Sequence, residues 1–276
     1  MPRLALLRDV FPTPDHGAAL TARLKEARDG GADLVCLPEI PSLPWAPCTK
    51  QADPSHAEPL DGPRAAMQCA SAAQAGVALV GGGIHTDAEG RRFNTALCID
   101  ADGTLVMHYR KVHIPDEVGF WEADHYDAGQ DPPMPCVLAD MRVGIQICSD
   151  NNRPFGCQHL AAHGCQLILN PRATEAGTLD TWTTMWRANA ITTGCWVASV
   201  NRPGPEGGTP IGGPSVVVCP RGEVVLETED PLAFVDIDLD AVAQARQDYP
   251  AYLAIPADTY TAAWANTTPK AAWTDL

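Results

Sequence analysis

Residues 142–154 read Arg-Val-Gly-Ile-Gln-Ile-Cys-Ser-Asp-Asn-Asn-Arg-Pro, and the reading of the whole chain starts from them. The apolar run Arg142–Ile147 predicts a buried strand, and Asn151-Asn152-Arg153-Pro154 turns it into a helix over Arg153–His163. A second strand, Cys165–Asn170, is then halted by Pro171, and Leu179–Thr192 reads as another helix. Strands at Trp196–Asn201, Ser215–Cys219, Glu223–Thr228 and Ala233–Asp238 close this half, with Arg221-Gly222 turning between the second and third. The first half repeats the order. Leu4–Phe11 is a strand, His16–Arg28 a helix with Leu20, Leu24 and Ala27 on one face, and Asp33–Leu37 a strand ended by Pro38. Pro63–Ala75 is a helix, and Val77–His85, Phe93–Ile99 and Thr104–Arg110 are strands, the last two flanking an Asp102-Gly103 hairpin signal. Such alternation is the pattern of an α/β fold, and its repetition predicts two similar sheets packed face to face with helices outside.

The chain has 276 residues, with 19 Lys+Arg against 34 Asp+Glu, a formal charge of −15 that excludes a nucleic-acid partner held by phosphate contacts. Its 45% hydrophobic and 19% charged residues suit a packed core, read here as one domain over residues 1–276. Arg8 and Asp9 cut the first apolar stretch too short for an export signal, and no apolar run is long enough to cross a bilayer. None of the ten cysteines forms a pair with the two-residue gap of a zinc or redox site, so a cytoplasmic protein with reduced thiols is expected. Proline-rich loops at Pro38–Pro63, Asp131–Pro135 and Asn201–Pro214 are places where function concentrates. The tail, 249–276, holds Tyr252, Tyr260, Trp264 and Trp273 without periodicity and is expected to pack on a partner subunit.

Cys148 sits where a buried strand turns into a helix, a place where free backbone N–H groups stabilise a thiolate; a packed core thiol is the alternative, assumed for the other nine cysteines. Three stretches offer it partners. Glu39 in Leu37-Pro38-Glu39-Ile40 follows an apolar strand among residues that would raise a carboxyl pKa, or else caps the strand in water. Lys111 in Tyr109-Arg110-Lys111-Val112-His113-Ile114-Pro115 points an ammonium into a site or into solvent. Glu122, after Gly119-Phe120-Trp121, is a further acid that says little alone.

Together and in this order, these stretches resemble the nitrilase superfamily of carbon–nitrogen hydrolases. Leu37-Pro38-Glu39, Tyr109–Pro115 and Gly144–Asp150 match its three motifs, and the second family glutamate falls on Glu122, with Glu117 as nearest rival. Supporting matches lie at Gly164–Pro171, Arg187–Ala190, Asn201–Gly204 and Gly213–Ser215, the last leading to Pro220-Arg221-Gly222. The resemblance implies a four-layer αββα sandwich that pairs into a homodimer or larger assembly. It also implies that Glu39 takes the Cys148 proton and that the thiolate attacks a small linear amide or N-carbamoyl compound. Lys111 and the Ser149 N–H would hold the oxyanion, Glu122 would orient Lys111 and bind the substrate nitrogen, and no metal or organic cofactor is needed.

Ser149-Asp150 after the nucleophile looks closer to the amidase and carbamoylase branches than to nitrile-cleaving members. Asp150 is counted with Ser149 among the substrate-binding candidates. Arg172 or Arg153 could grip a substrate carboxylate, whereas Asp116 and Glu117 in the pocket would favour an amine-bearing substrate. The alternatives are a nitrilase, an acyl transferase, or a catalytically silent subunit that acts by binding. His159 and His163 lack a third metal ligand and read as solvent-side, Gly81-Gly82-Gly83 as close backbone packing, and Trp182 with Trp186 as a core or subunit-contact stripe.

Overall fold

The computed structural model describes residues 1–266; Trp273 and the last part of the tail lie outside the described residues. In chain order the strands are β1 (Arg3–Leu7), β2 (Leu34–Cys36), β3 (Ala57–Glu58), β4 (Ala78–Thr86), β5 (Arg92–Ile99), β6 (Leu105–Arg110), β7 (Cys136–Leu138), β8 (Met141–Ile145), β9 (Leu167–Arg172), β10 (Trp196–Asn201), β11 (Ser215–Val218), β12 (Val224–Thr228) and β13 (Leu232–Asp236). The helices are α1 (Gly17–Asp29), α2 (Pro63–Ala75), α3 (Pro154–Ala162), α4 (Leu179–Thr193), α5 (Leu239–Ala245) and α6 (Ala257–Ala265). One sheet has the order β13-β1-β2-β4-β5-β6, with β3 beside β4, and the other β12-β11-β10-β9-β8-β7.

The two-residue period of the strands divides the first sheet between two cores. Leu4 and Leu6 of β1, Leu34 and Cys36 of β2, and Ala78 and Val80 of β4 share a buried cluster with Val143 and Ile145 of β8, so the sheets pack face to face. The alternate residues Ala5, Leu7, Val35 and Leu79 pack instead with Leu20, Leu24 and Ala27 of α1 and with Ala65 and Ala72 of α2. Each buried leucine contributes about 2 kcal/mol through removal of its apolar surface from water. On the far side, α3 and α4 cover the second sheet: Gly144 has no Cβ because one would lie 2.6 Å from the Leu160 side chain of α3. The layers are therefore α, β, β and α.

Local chemistry sets several boundaries as expected. Pro63 opens α2 at a position where its missing N–H is not needed, and Gly76 ends it at a φ of 64°. β9 departs from the sequence reading by running through Pro171 to Arg172. Its Leu169 carbonyl accepts from Gln146 N on the β8 side, and its Arg172 carbonyl accepts from Arg202 N on the β10 side. Alternation then aims Pro171 toward β8, which has already ended at Ile145, so no ladder bond is lost. The last strand also differs. β13 leaves the second half and pairs antiparallel with β1, where Arg3 meets Asp236 at 2.7 Å. β3, β7, α5 and α6 were not anticipated, although Asp238, which accepts from Asp240 N and Ala241 N, is a legible N-cap for α5.

Strands β1, β2 and β4 are parallel, as are β8, β9 and β10. β6 is antiparallel to β5, which is antiparallel to β4, so β6 ends at the same edge as β4. The loops after β2, β6 and β8, which carry Glu39, Lys111 and Cys148, leave from strand C-terminal ends, where α/β sheets place their ligands.

The Gly81–Gly83 run does serve close packing: a Cβ on Gly82 would lie 2.5 Å from the Thr95 carbonyl oxygen of β5. Gly82→Ala is expected to lower stability by about 1–3 kcal/mol, read from the urea midpoint. Gly204→Ala, where an added Cβ meets nothing within 4 Å, should change it by under about 0.5 kcal/mol.

Candidate active site

Lys111, the first residue after β6, is fully buried, and its ammonium has two carboxylate partners. Nζ donates to Glu39 Oε1 at 2.8 Å and to Glu122 Oε2 at 2.6 Å. Glu39 Oε1 also accepts from Asn94 Nδ2 of β5 at 2.8 Å, while Glu39 Oε2 is buried with no hydrogen-bond partner among the described residues. Glu122 opens a single 3-10 turn, Glu122–Asp124, and its Oε2 also accepts from the Tyr126 hydroxyl. Burial alone would lower the Lys111 pKa, but the Glu122 and Glu39 charges outweigh it and hold the ammonium protonated. Burial pushes the Glu122 carboxyl up to about 7 against the pull of Lys111.

Cys148 begins the 3-10 stretch Cys148–Asn152 with a φ of 44°, a left-handed backbone that a non-glycine residue adopts only when its surroundings hold it. Those surroundings are specific. Asn170 Nδ2 donates to the carbonyls of Gln146 at 2.6 Å and Cys148 at 3.1 Å, and its Oδ1 accepts from Trp186 Nε1 and Ser199 Oγ. Asn189 Nδ2 of α4 donates to the Asn151 carbonyl at 2.8 Å. The thiol is 3% exposed. Burial pushes its pKa well up, the Glu39 carboxylate adds to this and Lys111 opposes it, so the resting sulfur is a thiol and needs a base.

Cys148, Ser149 and Glu122 line a cavity of about 560 Å³, walled further by Phe120, Thr174 and Trp182. Of the residues read from the sequence, Glu39, Lys111, Cys148 and Glu122 thus come together, and Ser149 joins them at the cavity wall. Glu117 is exposed on the same cavity and does not touch Lys111, so the ammonium's partner is Glu122.

Asp150 and Arg172, the other two substrate-binding candidates, are not among the residues lining the cavity, and both bond to the protein itself. Asp150 is fully buried: Oδ1 accepts from the backbone N–H of Val112 and His113, and Oδ2 from the Tyr109 hydroxyl at 2.9 Å. It ties the Cys148 turn to the segment that carries Lys111. Arg172 lies above the Trp186 ring, with its donors spent on Ser199 Oγ, Thr174 Oγ1 and the Pro214 carbonyl. Burial lowers its pKa to about 9. Arg153 is exposed and is not among the residues lining the cavity. Both tryptophans of the stripe belong to the core cluster, and Trp182 also lines the cavity.

Sequence reasoning missed Asn94 and Tyr126, and it gave Arg202, inside the Asn201–Gly204 match, no role. Asn94 could have been noticed as a polar residue inside an apolar strand, but nothing local marks Tyr126. Arg202 is fully buried; Nη1 donates to the carbonyls of Glu39 and Ile40 at 2.8 Å each, and Nη2 to that of Leu43 at 3.0 Å. It holds the loop bearing Glu39, in which Ile40 has a φ of 47°, costly for a β-branched residue.

A carbon-nitrogen hydrolase family model matches residues 14–247. Omega-amidase NIT2 from Homo sapiens is 30% identical over 274 residues, covering 94% of this chain and 96% of that protein. A carbon-nitrogen hydrolase from Helicobacter pylori G27 shares the fold with a TM-score of 0.83 at 23% identity, over 95% of this chain and 98% of that one. A mutant of the amidase from Nesterenkonia sp. AN1, solved in complex with butyramide, gives 0.76 at 25% identity over 95% and 96%. With a thiol and a carboxyl at one cavity wall, a buried ammonium and a second carboxyl bonded behind them, and relatives that match over nearly their whole length, the chain belongs to the carbon–nitrogen hydrolase family of the nitrilase superfamily and is an amide-cleaving enzyme.

Proposed function

We propose that Cys148 is the nucleophile in the hydrolysis of small linear amides, with Glu39 as base and acid, Lys111 as oxyanion partner and Glu122 as the group that positions Lys111. The observation that carries this is the two-sided use of Glu39: Oε1 is bonded to Lys111 and Asn94, while Oε2 has a free lone pair. Glu39 Oε2 takes the thiol proton as Sγ attacks the amide carbon. The carbonyl electrons move to oxygen, where Lys111 Nζ and the Ser149 N–H receive them. Collapse breaks the carbon–nitrogen bond, and Glu39 returns the proton so that ammonia leaves and a thioester remains. Glu39 then deprotonates a water that attacks the thioester, and the second collapse releases the carboxylic acid and restores the thiol. The butyramide bound to the Nesterenkonia relative supports an unbranched aliphatic amide as the substrate type. N-carbamoyl compounds present the same carbonyl and would react alike.

We propose also that the tail packs on a second copy of the chain. Tyr252, Leu253, Ile255, Tyr260 and Trp264 are each more than 40% exposed, a run of apolar surface that a monomer leaves in water. Removal of residues 249–276 is expected to convert a dimer to a monomer in sedimentation velocity, and an unchanged mass would refute the assignment. For this reduced, cytoplasmic reading of the chain the support is that all ten cysteines are unpaired.

Cys148→Ala should abolish ammonia release from butyramide while leaving the urea midpoint within about 1 kcal/mol of the parent, because a small thiol contributes little packing at a cavity wall. Residual turnover in that variant would sink the mechanism. Lys111→Met leaves Glu122 buried without its cation, and its carboxyl pKa then rises beyond about 7. A carboxyl whose pKa is raised by folding binds more protons folded than unfolded, so its stability contribution is complete below the unfolded value and is lost as pH rises through the folded one. The variant should therefore be destabilised by about 3 kcal/mol or more at about pH 8 and by clearly less at about pH 5. A gap that is independent of pH would count against this electrostatic role.

A further inference from the structure

The cavity that holds Cys148 has a one-sided charge. Besides Glu122, two carboxylates line it, Glu117 and Glu175, and none of its lining residues is Lys, Arg or His. Neither carboxylate has a side-chain hydrogen bond or an ion pair among the described residues, so their charge faces the cavity uncompensated. Both sit on defined backbone: Phe120 N donates to the Glu117 carbonyl at 2.8 Å, and Glu175 pairs with Ile211 in a short antiparallel bridge.

The buried cations around the site are committed elsewhere, and Arg153, exposed beside Asn152, does not line the cavity. Lys111 is clasped by Glu39 and Glu122, Arg172 by Ser199, Thr174 and Pro214, and Arg202 by Glu206 together with the carbonyls of the Glu39 loop. A net charge of −15 adds a background of the same sign. In the same cavity, Phe120, Val118 and Trp182 give the wall an apolar character that suits methylene groups.

We propose that this enzyme selects amides by the charge at the far end of the acyl chain: a terminal ammonium is favoured, a neutral end is accepted and a terminal carboxylate is rejected, with Glu117 and Glu175 as the specificity-determining residues. The substrate class is thus ω-amino aliphatic amides, and it deepens the amide-hydrolase reading by resting on the same cavity. A carboxylate end would be placed against two unpaired like charges with no donor cation to receive it, whereas an ammonium would gain two charged acceptors and the face of an aromatic ring.

Three probes of matched length test this: 5-aminopentanamide, pentanamide and the monoamide of glutaric acid. Each is titrated by calorimetry into the Cys148→Ala chain, and each is assayed for ammonia release by the unaltered enzyme. The expected order of affinity and of kcat/KM is ammonium, neutral, carboxylate, with the first exceeding the last by roughly tenfold or more at low salt and by less at about 0.5 M sodium chloride. In the Glu117→Gln/Glu175→Gln double variant the ratio should shrink by roughly three- to tenfold, through KM rather than kcat. A carboxylate probe that binds as well as the neutral one, a ratio unmoved in the double variant, or no binding by any probe would overturn the proposal. Charge-ordered binding without ammonia release would instead refute the hydrolytic roles and leave the charge selection standing, while turnover in the reverse order would do the opposite.

Discussion

A fully buried ammonium is costly unless its charge and its donors are both met, and at Lys111 they are met by Glu39 and Glu122. Removing such an ion from water costs several kcal/mol, which only close, well-directed carboxylates offset. Each comes from a different place in the chain: Glu39 from the loop after β2, Lys111 from the end of β6, and Glu122 from a turn eleven residues later. Satisfying one cation therefore requires three loops to converge. Asp150 extends the requirement to the second sheet by accepting from Val112 and His113, the two residues that follow Lys111. The turn that bears Cys148 is in this way registered against the ammonium, across the seam between the sheets.

Two strained residues flank that cation. Cys148 and Ile40 both have positive φ values, a conformation that costs of order 1–3 kcal/mol for residues other than glycine. Neither is left to hold itself. Asn170 takes the carbonyls before and at Cys148, and Arg202 takes those of Glu39 and Ile40. The strain sits at the residue that bears the thiol and at the neighbour of the one that bears the carboxyl, and the side chains that maintain it come from β9 and from the end of β10 in the second sheet. The fold accordingly supplies geometry, and the buried polar residues supply permanence.

Charges near a catalytic centre divide into those that brace it and those that face the ligand, and sequence position does not distinguish them. Asp150 and Arg172, each within a few residues of Cys148 or at a strand end, are buried and bond to the protein itself. Glu117 and Glu175, farther away along the chain, face the cavity. Trp182 and Trp186 repeat the lesson one helical turn apart on α4, since only the first reaches the cavity.

From sequence alone, the element types and most of their limits were legible. Strand and helix periods are local properties, and Pro63, Gly76 and the Asp102-Gly103 turn act within a few bonds. The stretches bearing Glu39, Lys111 and Cys148 were legible too, because each follows a strand in a short motif whose order along the chain is itself informative, and Glu122 came with the family resemblance. What only the tertiary structure decided is everything that depends on approach through space. β13 joins β1 because its partner surface lies at the other end of the chain, and β9 tolerates Pro171 because β8 has already turned away. Asn94 and Arg202 enter the site through contacts spanning dozens of residues or more, and the direction of Arg172 was set by Ser199 and Pro214. Hydrogen bonds and ion pairs fall off within a few ångströms, so whether a charged side chain serves the fold or the ligand is settled by which groups folding brings within that distance.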